Sequence, residues 1–263
     1  MTTTTPKAAA FLAALALGAA PLAAQADFHW SGKLAAGQRI EIKGVNGSIH
    51  ARAASGATTE VTAHKSSRRS DPESVEIRVV PFSGGVTICA VYPTPRRARE
   101  ENDCESGGHW HSDTDNNDVE VDFDVQVGTG VDFDGQTVNG EVGATGLTGN
   151  VSTRTVNGGI DVSTSGHAEA TTVNGSIRAA MGKADWPDGA EFTTVNGGIT
   201  LQLPAGLAAN VRASTLNGDI ESDFPLTVTG KFGPRRVNAT IGGGGRELSM
   251  TTVNGDIRLE KNP

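Results

Sequence analysis

Hydrophobic and polar residues alternate along most of the chain, in short segments that are separated by turn residues. The clearest segment begins at Val119, where Val121 and Phe123 follow at every second position and Glu120 and Asp122 lie between them. A period of two residues is typical of a β-strand with one buried and one solvated face. No stretch after residue 26 shows the period of a helix. The pattern therefore predicts an all-β protein.

A short phrase, Val-Asn-Gly-x-Ile, recurs through the chain and organises this pattern. An early copy contains Asn46, and a degenerate copy, Val-Asn-Ala-Thr-Ile, contains Asn238. In the later part of the chain the asparagines of successive copies are 16 to 22 residues apart. A nearly constant period indicates stacked structural units. The asparagines of this later block are Asn139, Asn157, Asn174, Asn196, Asn217, Asn238 and Asn254.

Two architectures are compatible with the phrase. Asn-Gly between two strands favours a two-residue hairpin, which would give an antiparallel hairpin meander. In that meander the residue before each asparagine, such as Val156 or Val173, would face the solvent and form an apolar stripe. A solenoid corner breaks the alternation, so that we expect the same residues to turn inward. We therefore favour a single-domain β-solenoid, a β-helix-like stack of short strands with Val-Asn-Gly corners.

The solenoid also predicts where the repeated residues lie. Coils stack about 4.8 Å apart, so identical residues at one corner lie above one another. An amide can bond to copies on both sides, and we expect the asparagines from Asn139 to Asn254 to form a structural ladder along one edge. In this ladder Asn174 is expected to be an interior rung and Asn254 an end. Buried positions are predicted three residues after each asparagine, at Val142, Ile160, Ile177, Ile199, Ile220, Ile241 and Ile257.

The first residues have the composition of an export signal. Lys7 precedes an apolar run over 8–20 that is too short to span a bilayer, and an Ala-x-Ala cleavage pattern follows at 24–26. We therefore predict a signal peptide at 1–26 and one β-strand repeat domain at 27–263. No second long apolar run is present, so we expect no transmembrane segment in the mature chain. The expected location is the periplasm, the extracellular space or the cell surface.

Charge and aromatic content restrict the partners and the core. The net charge is −8, and aromatic residues make up 5% of the chain. An acidic protein repels nucleic acids, so no nucleic-acid partner is expected. With so few aromatic rings, the core is expected to consist of Val, Ile, Ala and Thr.

Residues 93–118 interrupt the strand pattern. They include Pro93 and Pro95, a run of arginines and glutamates, and a run of Asp and Asn, which together predict an exposed loop insertion. Cys89 precedes this segment, Cys104 lies within it, and the chain has no other cysteine. An even pair in an exported chain indicates a disulfide, which would tether the root of the loop.

The loop also contains the best metal-binding pattern of the sequence. His109, His111, Asp113 and Asp115 alternate, so an extended backbone would direct imidazoles and carboxylates to one side, as Zn²⁺ or Cu²⁺ requires. A solvated segment that binds no metal is the competing and favoured interpretation, and no other cofactor is expected. A second candidate, for Ca²⁺, is an outward acidic strip on two strands, which equally serves to block edge pairing. Its carboxylates are Glu120, Asp122, Asp124, Asp132 and Asp134.

The repeated phrases have a family resemblance. Thr-Val-Asn-Gly-x-Ile blocks after a signal peptide resemble the bacterial putative-adhesin domain family, β-strand repeat proteins of unknown function. The segments 40–49, 87–93 and 118–123 resemble the opening and the middle of the same domain, so the resemblance covers nearly all of 27–260. It implies a β-helix-like fold and an envelope or extracellular location. The family has no established catalytic residues to carry over.

No enzyme motif accompanies the repeats. The sequence lacks an acyl-transfer elbow, a phosphate-binding loop and a metalloprotease helix. We therefore predict a non-enzymatic envelope protein, an adhesin or scaffold that presents a repetitive β surface to an envelope protein or a surface glycan. Two alternatives stay open: a β-helix carbohydrate-active enzyme, and an accessory to an envelope sensing system.

Overall fold

The computed structural model describes residues 28–107, 110–183, 186, 189–228 and 235–262, so the predicted signal peptide lies outside the described residues. These residues form β-strands, one 3-10 turn at Pro72–Ser74 and no α-helix. The strands are β1 (Phe28–Lys33), β2 (Arg39–Lys43), β3 (Ile49–Ala53), β4 (Thr58–Ser66), β5 (Glu76–Phe82), β6 (Gly85–Val91), β7 (Glu120–Val127), β8 (Asp132–Gln136), β9 (Val142–Leu147), β10 (Val151–Arg154), β11 (Ile160–Thr164), β12 (Ala168–Thr171), β13 (Ile177–Met181), β14 (Ala190–Thr193), β15 (Ile199–Leu203), β16 (Ala209–Ser214), β17 (Ile220–Ser222), β18 (Thr227–Val228), β19 (Arg236–Ile241), β20 (Arg246–Thr251) and β21 (Ile257–Lys261).

The strands form two sheets that share one hydrophobic core. Sheet A has the order β1-β4-β7-β3-β9-β11-β13-β15-β21-β17. Sheet B has the order β18-β19-β16-β20-β14-β12-β10-β8-β2-β6-β5. Each coil of the stack gives one strand to each sheet: β10 of sheet B, for example, continues through the corner at Asn157 into β11 of sheet A.

The Asn-Gly corners connect strands of different sheets and do not close hairpins. β10 pairs in parallel with β8 and β12, and β11 pairs in parallel with β9 and β13. Each pairing joins a strand to its equivalent in the next coil, so the backbone hydrogen bonds run along the stack. The predicted β-solenoid is confirmed, and the antiparallel meander is wrong for these corners.

The core consists mainly of aliphatic side chains stacked in columns, but its largest members are aromatic, which the expected composition of Val, Ile, Ala and Thr had left out: Phe123, Phe133, Phe192 and Trp186 are fully buried. Ile160, Ile177 and Ile199 are in register in sheet A, and all three are buried. Ile220, predicted to be buried, is only half-buried because β17 is the last strand of sheet A in the described part of the chain. Ile241 is buried, but it ends β19 of sheet B and does not follow a corner.

The corners bury a different side chain from the one predicted. Val156 and Val173, the residues before two of the asparagines, are 38% and 36% exposed, and Leu216 is 58% exposed. The preceding threonine turns inward instead: Thr155 Oγ1 donates to the carbonyl oxygen of Gly140 in the neighbouring coil at 2.9 Å. The prediction was wrong because a carbonyl buried at the corner needs a donor, which threonine has and valine lacks. The inward threonines are Thr137, Thr155, Thr172, Thr194, Thr215 and Thr252.

The corner glycines are required by the close stacking of backbones. A Cβ atom at Gly158 would lie 1.9 Å from the carbonyl oxygen of Gly140, and one at Gly175 would lie 1.9 Å from that of Gly158. Any side chain here would therefore force neighbouring coils apart. A left-handed backbone is a second reason for glycine at only two of the described corners. These are the corners of Gly47 and Gly255, whose φ angles are 115° and 156°.

The coils do not stack in the order of the sequence. The coil of β2 and β3 lies between the coil of β6 and β7 and the coil of β8 and β9. At the other end, the coil of β20 and β21 lies between that of β14 and β15 and that of β16 and β17. Antiparallel strands cover both sheets at one end, with β1, β4 and β5, and sheet B at the other end, with β18 and β19. These strands cover edges that would otherwise pair with another chain.

Candidate binding surfaces

The repeated asparagines form a hydrogen-bonded ladder along the corner edge. Asn174 Nδ2 donates to Asn157 Oδ1, and Asn196 Nδ2 donates to Asn174 Oδ1, both at 2.8 Å. The same bond joins each further pair at 2.7–2.9 Å, in positions exposed to solvent. All the amides therefore donate in one direction along the stack. The order of the rungs is Asn46, Asn139, Asn157, Asn174, Asn196, Asn254 and Asn217.

The ladder differs from the predicted block of asparagines in its members and in their order. Asn46 joins the ladder as its first member. Asn238 does not join it, because this residue lies inside β19, which runs antiparallel to β16 and has no corner at that point. Asn254 is an interior rung between Asn196 and Asn217, and Asn217 is the end. The expected position of Asn254 was wrong because the order of the coils is not the order of the sequence.

Residues 92–107 and 110–118, which we call the strap, lie between β6 and β7, where other coils have an Asn-Gly corner. A disulfide joins Cys89 of β6 to Cys104 of the strap, with 5.7 Å between the Cα atoms. Asn102 is buried, and its side-chain amide donates to two carbonyl oxygens of the strap at 3.0 and 2.7 Å. Most described residues of the loop predicted at 93–118 are exposed, and its buried members, Asn102 and Cys104, hold it together and to sheet B.

Both ends of the strap meet the first rung of the ladder. Tyr92 is buried, and its hydroxyl donates to the carbonyl oxygen of Val119 at 2.7 Å. The amide of Asn46 donates to the same carbonyl at 3.4 Å, which closes the donor end of the ladder. Burial raises the pKa of the Tyr92 phenol to about 12.

The strap also buries a charged pair on the outer face of sheet B. Lys43 Nζ donates to the carbonyl oxygens of Glu105 and Gly107, each at 2.6 Å, and lies 3.7 Å from a carboxylate oxygen of Glu41. That carboxylate accepts from Thr87 Oγ1 at 2.8 Å and from the Gly107 amide at 3.0 Å. Burial lowers the pKa of Lys43, and the charge of Glu41 opposes this shift. The sequence did not reveal the pair, because charged residues alternating with isoleucines predict a solvated face.

The strap brings two of the predicted metal ligands into contact. His111 Nε2 lies 3.4 Å from Asp113 Oδ2, and both side chains are about half exposed. Asp115 instead accepts a hydrogen bond from Asn116. His109 lies outside the described residues. In the ranges that the structure covers, no three His, Cys, Asp or Glu side chains converge as metal ligands would. Metal binding by this set stays an untested alternative to the favoured solvated loop.

The predicted acidic strip is divided between the two sheets. Asp122 and Asp124 lie on β7 of sheet A, whereas Asp132 and Asp134 lie on β8 of sheet B. Asp134 is buried, accepts a hydrogen bond from Gln136 at 2.9 Å, and has a pKa raised by burial. The prediction of one common face was wrong because the turn between these strands leads into the other sheet.

Groove A is a concavity of about 550 Å³ on the outer face of sheet A. It crosses β3, β9, β11, β13, β15 and β21, and the backbone of Gly143 and Gly159 forms part of its floor. Arg178 lies 3.5 Å from Asp161 within it, and both side chains are exposed. Sequence reasoning did not identify this groove, although glycine inside a strand pattern was an available signal.

Groove B is a concavity of about 420 Å³ on the outer face of sheet B. Both of its arginines are paired with a carboxylate. Arg39 lies 3.7 Å from Glu41, and Arg154 lies 3.8 Å from Asp134. Neither arginine is therefore available to a ligand without the loss of an existing ion pair.

The fold and the repeats define a class, the β-solenoid built from Val-Asn-Gly coils, and the comparison with protein families names it. Residues 111–260, more than half of the chain, match the family described as Toastrack DUF4097. The chain belongs to this family. No curated protein matches the chain.

Several solved bacterial proteins are similar to the chain. One is a putative cell adhesion protein from Clostridium sporogenes, with a TM-score of 0.44 and 11% identity over 89% of this chain and 99% of that one. Another is a putative adhesin from Bacteroides fragilis, with a TM-score of 0.32 and 11% identity over 88% and 96% of the two chains. A third is a putative lipid binding protein from Parabacteroides distasonis, with a TM-score of 0.21 and 10% identity over 89% and 97%.

The disulfide bears on the cellular compartment. The Cys89–Cys104 disulfide is typical of proteins in oxidising compartments outside the cytoplasm. Among the residues with described positions, no helix has the length and apolarity needed to cross a bilayer.

Proposed function

We propose that this chain is an exported, non-enzymatic binding module of the bacterial envelope, acting as an adhesin or as a scaffold. The observation that supports this most is the extent of regular outer surface. Two sheet faces run along the stack, and each has a groove open to solvent. Stacked repeats of this kind provide extended surfaces for elongated partners. The partner is an envelope protein or a surface glycan.

A β-helix carbohydrate-active enzyme is the rival function. The observation in its favour is Asp134, which lines groove B and has a pKa raised by burial, as a general acid requires. Glycoside hydrolysis needs two carboxyl groups free to act on the scissile bond. Asp134 is already held by Gln136 at 2.9 Å and by Arg154 at 3.8 Å. We therefore expect binding without turnover.

A glycan array followed by product analysis separates the two functions. Retention of glycans without shortened products supports the binding module, whereas cleavage that is lost in Asp134→Asn supports the enzyme. A pull-down from envelope membranes tests the scaffold role, and specific recovery of a sensor kinase or its regulator supports an accessory of a sensing system. A chain that retains neither glycans nor envelope proteins contradicts the proposal.

Export has a separate test. If residues 1–26 are a signal peptide, mass spectrometry of the protein recovered from the periplasm or medium gives a chain that begins at Asp27. A recovered chain that still contains residues 8–20 contradicts export by this signal.

A further inference from the structure

Groove A has the dimensions of a site for an extended ligand. It crosses six strands of sheet A, and at about 4.8 Å per strand its length is roughly 24 Å. Its long direction follows the stack axis, so a chain-like ligand would contact equivalent positions of successive coils.

The floor of groove A contains glycines that the fold does not require. A Cβ atom at Gly143 would meet only His50 Nδ1 at 3.5 Å and a backbone oxygen at 4.0 Å, and one at Gly159 would meet only a backbone oxygen at 3.6 Å. These are ordinary contacts, and neither glycine has a left-handed backbone. At the corner, by contrast, a Cβ on Gly158 would lie 1.9 Å from a carbonyl oxygen. Glycine weakens a strand, and inside one it often marks the close approach of a ligand.

The polar groups along groove A carry both signs of charge. Glu141 and Asp161 lie towards one end, and Arg178 and Arg258 towards the other. Arg258 is already bound to two carboxylates at 3.0 Å, and Arg178 lies 3.5 Å from Asp161. The groove therefore presents donors and acceptors without a strong net charge. A hydroxyl group both donates and accepts hydrogen bonds, so a polyhydroxylated chain matches this mixture.

Several groups in groove A have no internal partner. Within the described part of the chain, the side chains of His50, Glu141 and Thr200 make no hydrogen bond or ion pair. A ligand can bond to them without breaking an existing contact.

We propose that groove A binds an uncharged glycan chain that lies along the solenoid axis. This inference rests on the proposed binding function and names its ligand class. An extended peptide fits less well, because peptides add to sheets at a free edge, and groove A lies on a face whose backbone groups are already paired. A polyanionic chain is repelled by a protein of net charge −8.

The test measures binding of uncharged oligosaccharides of increasing length by isothermal titration calorimetry. Gly143→Val fills the floor of groove A and suits a strand backbone. Thr171→Val is the matched control, since Thr171 is an exposed strand residue of sheet B that does not line either groove. We expect the unchanged chain to bind, Gly143→Val to bind at least about tenfold more weakly, and Thr171→Val to bind normally. The thermal midpoint of each variant establishes that it is folded, and Gly159→Val replaces Gly143→Val if the latter does not fold.

The outcomes separate this inference from the proposed function. Glycan binding that both glycine variants leave unchanged overturns groove A as the site, while the binding function stands. Retention of extended peptides but no oligosaccharide overturns the ligand class. If the unchanged chain retains neither glycans nor envelope components, the proposed function fails together with this inference.

Discussion

The coils beneath the strap and the bare coils of the same solenoid are stabilised in different ways. In the bare coils, such as those of β11 and β13, alternate residues of each strand face the solvent. Beneath the strap, β6 is buried at every position and β2 at every position after the first. The covered coils thus have a second buried face, and that face contains charges.

The two regions also differ in how often each contact occurs. In the bare coils the same three columns recur: isoleucines in the core, threonines at the inner corner and asparagines at the outer corner. Under the strap, the disulfide and the Lys43–Glu41 pair occur once. Loss of one repeated contact leaves its neighbours in place, whereas a unique contact has no second copy. We therefore expect larger losses of stability from substitutions beneath the strap.

The largest loss is expected at Lys43. Lys43→Met leaves the Glu41 carboxylate and two strap carbonyl groups buried without their partner, and should lower the free energy of unfolding by about 3 kcal/mol. Lys33→Met, at an exposed position of β1, is the control and should change it by less than about 0.5 kcal/mol. Urea unfolding measures the free energy of unfolding of both variants. Equal stability of the two variants would show that the buried ammonium contributes nothing.

The second largest loss of stability is expected on removal of the disulfide. Cys89→Ala with Cys104→Ala opens a loop of 15 residues, which in the chain-entropy model costs about 3 kcal/mol at most. We expect limited proteolysis to cleave the double variant first within the strap, while the bare coils stay resistant. Peptide mapping without reductant checks the bond itself. Two free thiols in protein recovered from the envelope would contradict the pairing.

Alkaline pH should destabilise the end of the stack through Tyr92. Because burial raises the pKa of Tyr92 to about 12, the folded protein keeps this proton above pH 10, where the unfolded chain loses it. Protonated Tyr92 makes its full contribution to the free energy of unfolding below about pH 10. This contribution, on the order of 2 kcal/mol, is lost as the pH rises towards 12. Tyr92 is the only tyrosine, so near-ultraviolet absorbance titrates it alone. Ionisation near pH 10 in the folded chain would refute its burial.

The smallest effects are expected in the ladder. Asn174→Ala removes a bond to each neighbour, at exposed positions, and should cost about 1 kcal/mol. Asn217→Ala removes only the bond to Asn254 and should cost roughly half as much. Asn254→Ala should resemble Asn174→Ala, because it is an interior rung. Thermal unfolding of the three variants gives this order, and a larger loss at Asn217 would contradict it.

Sequence periodicity was sufficient to predict the repeated contacts, because the three-residue spacing between Asn157 and Ile160 recurs in the other coils. It could not give the order of the coils, since any two copies can pair in parallel with the same contacts, and the position of Asn254 was therefore missed. Thr155 was missed because both the threonine and the valine beside it fit a corner, and only the buried carbonyl decides between them. Lys43 was missed because the group that covers it lies 62 residues away.

The stacking order of the coils has a consequence for how the protein folds during synthesis. A chain emerges from a ribosome or a translocation channel from its first residue onwards, and stacked repeats can in general fold one unit at a time. Here β20 lies between β14 and β16 in sheet B, and β21 lies between β15 and β17 in sheet A, although β20 and β21 are synthesised last. The coils of β14–β15 and β16–β17 therefore cannot join each other before β20 and β21 have been synthesised. The far end of the solenoid can therefore assemble only after residues 246–261 are free, when nearly all of the chain has been synthesised.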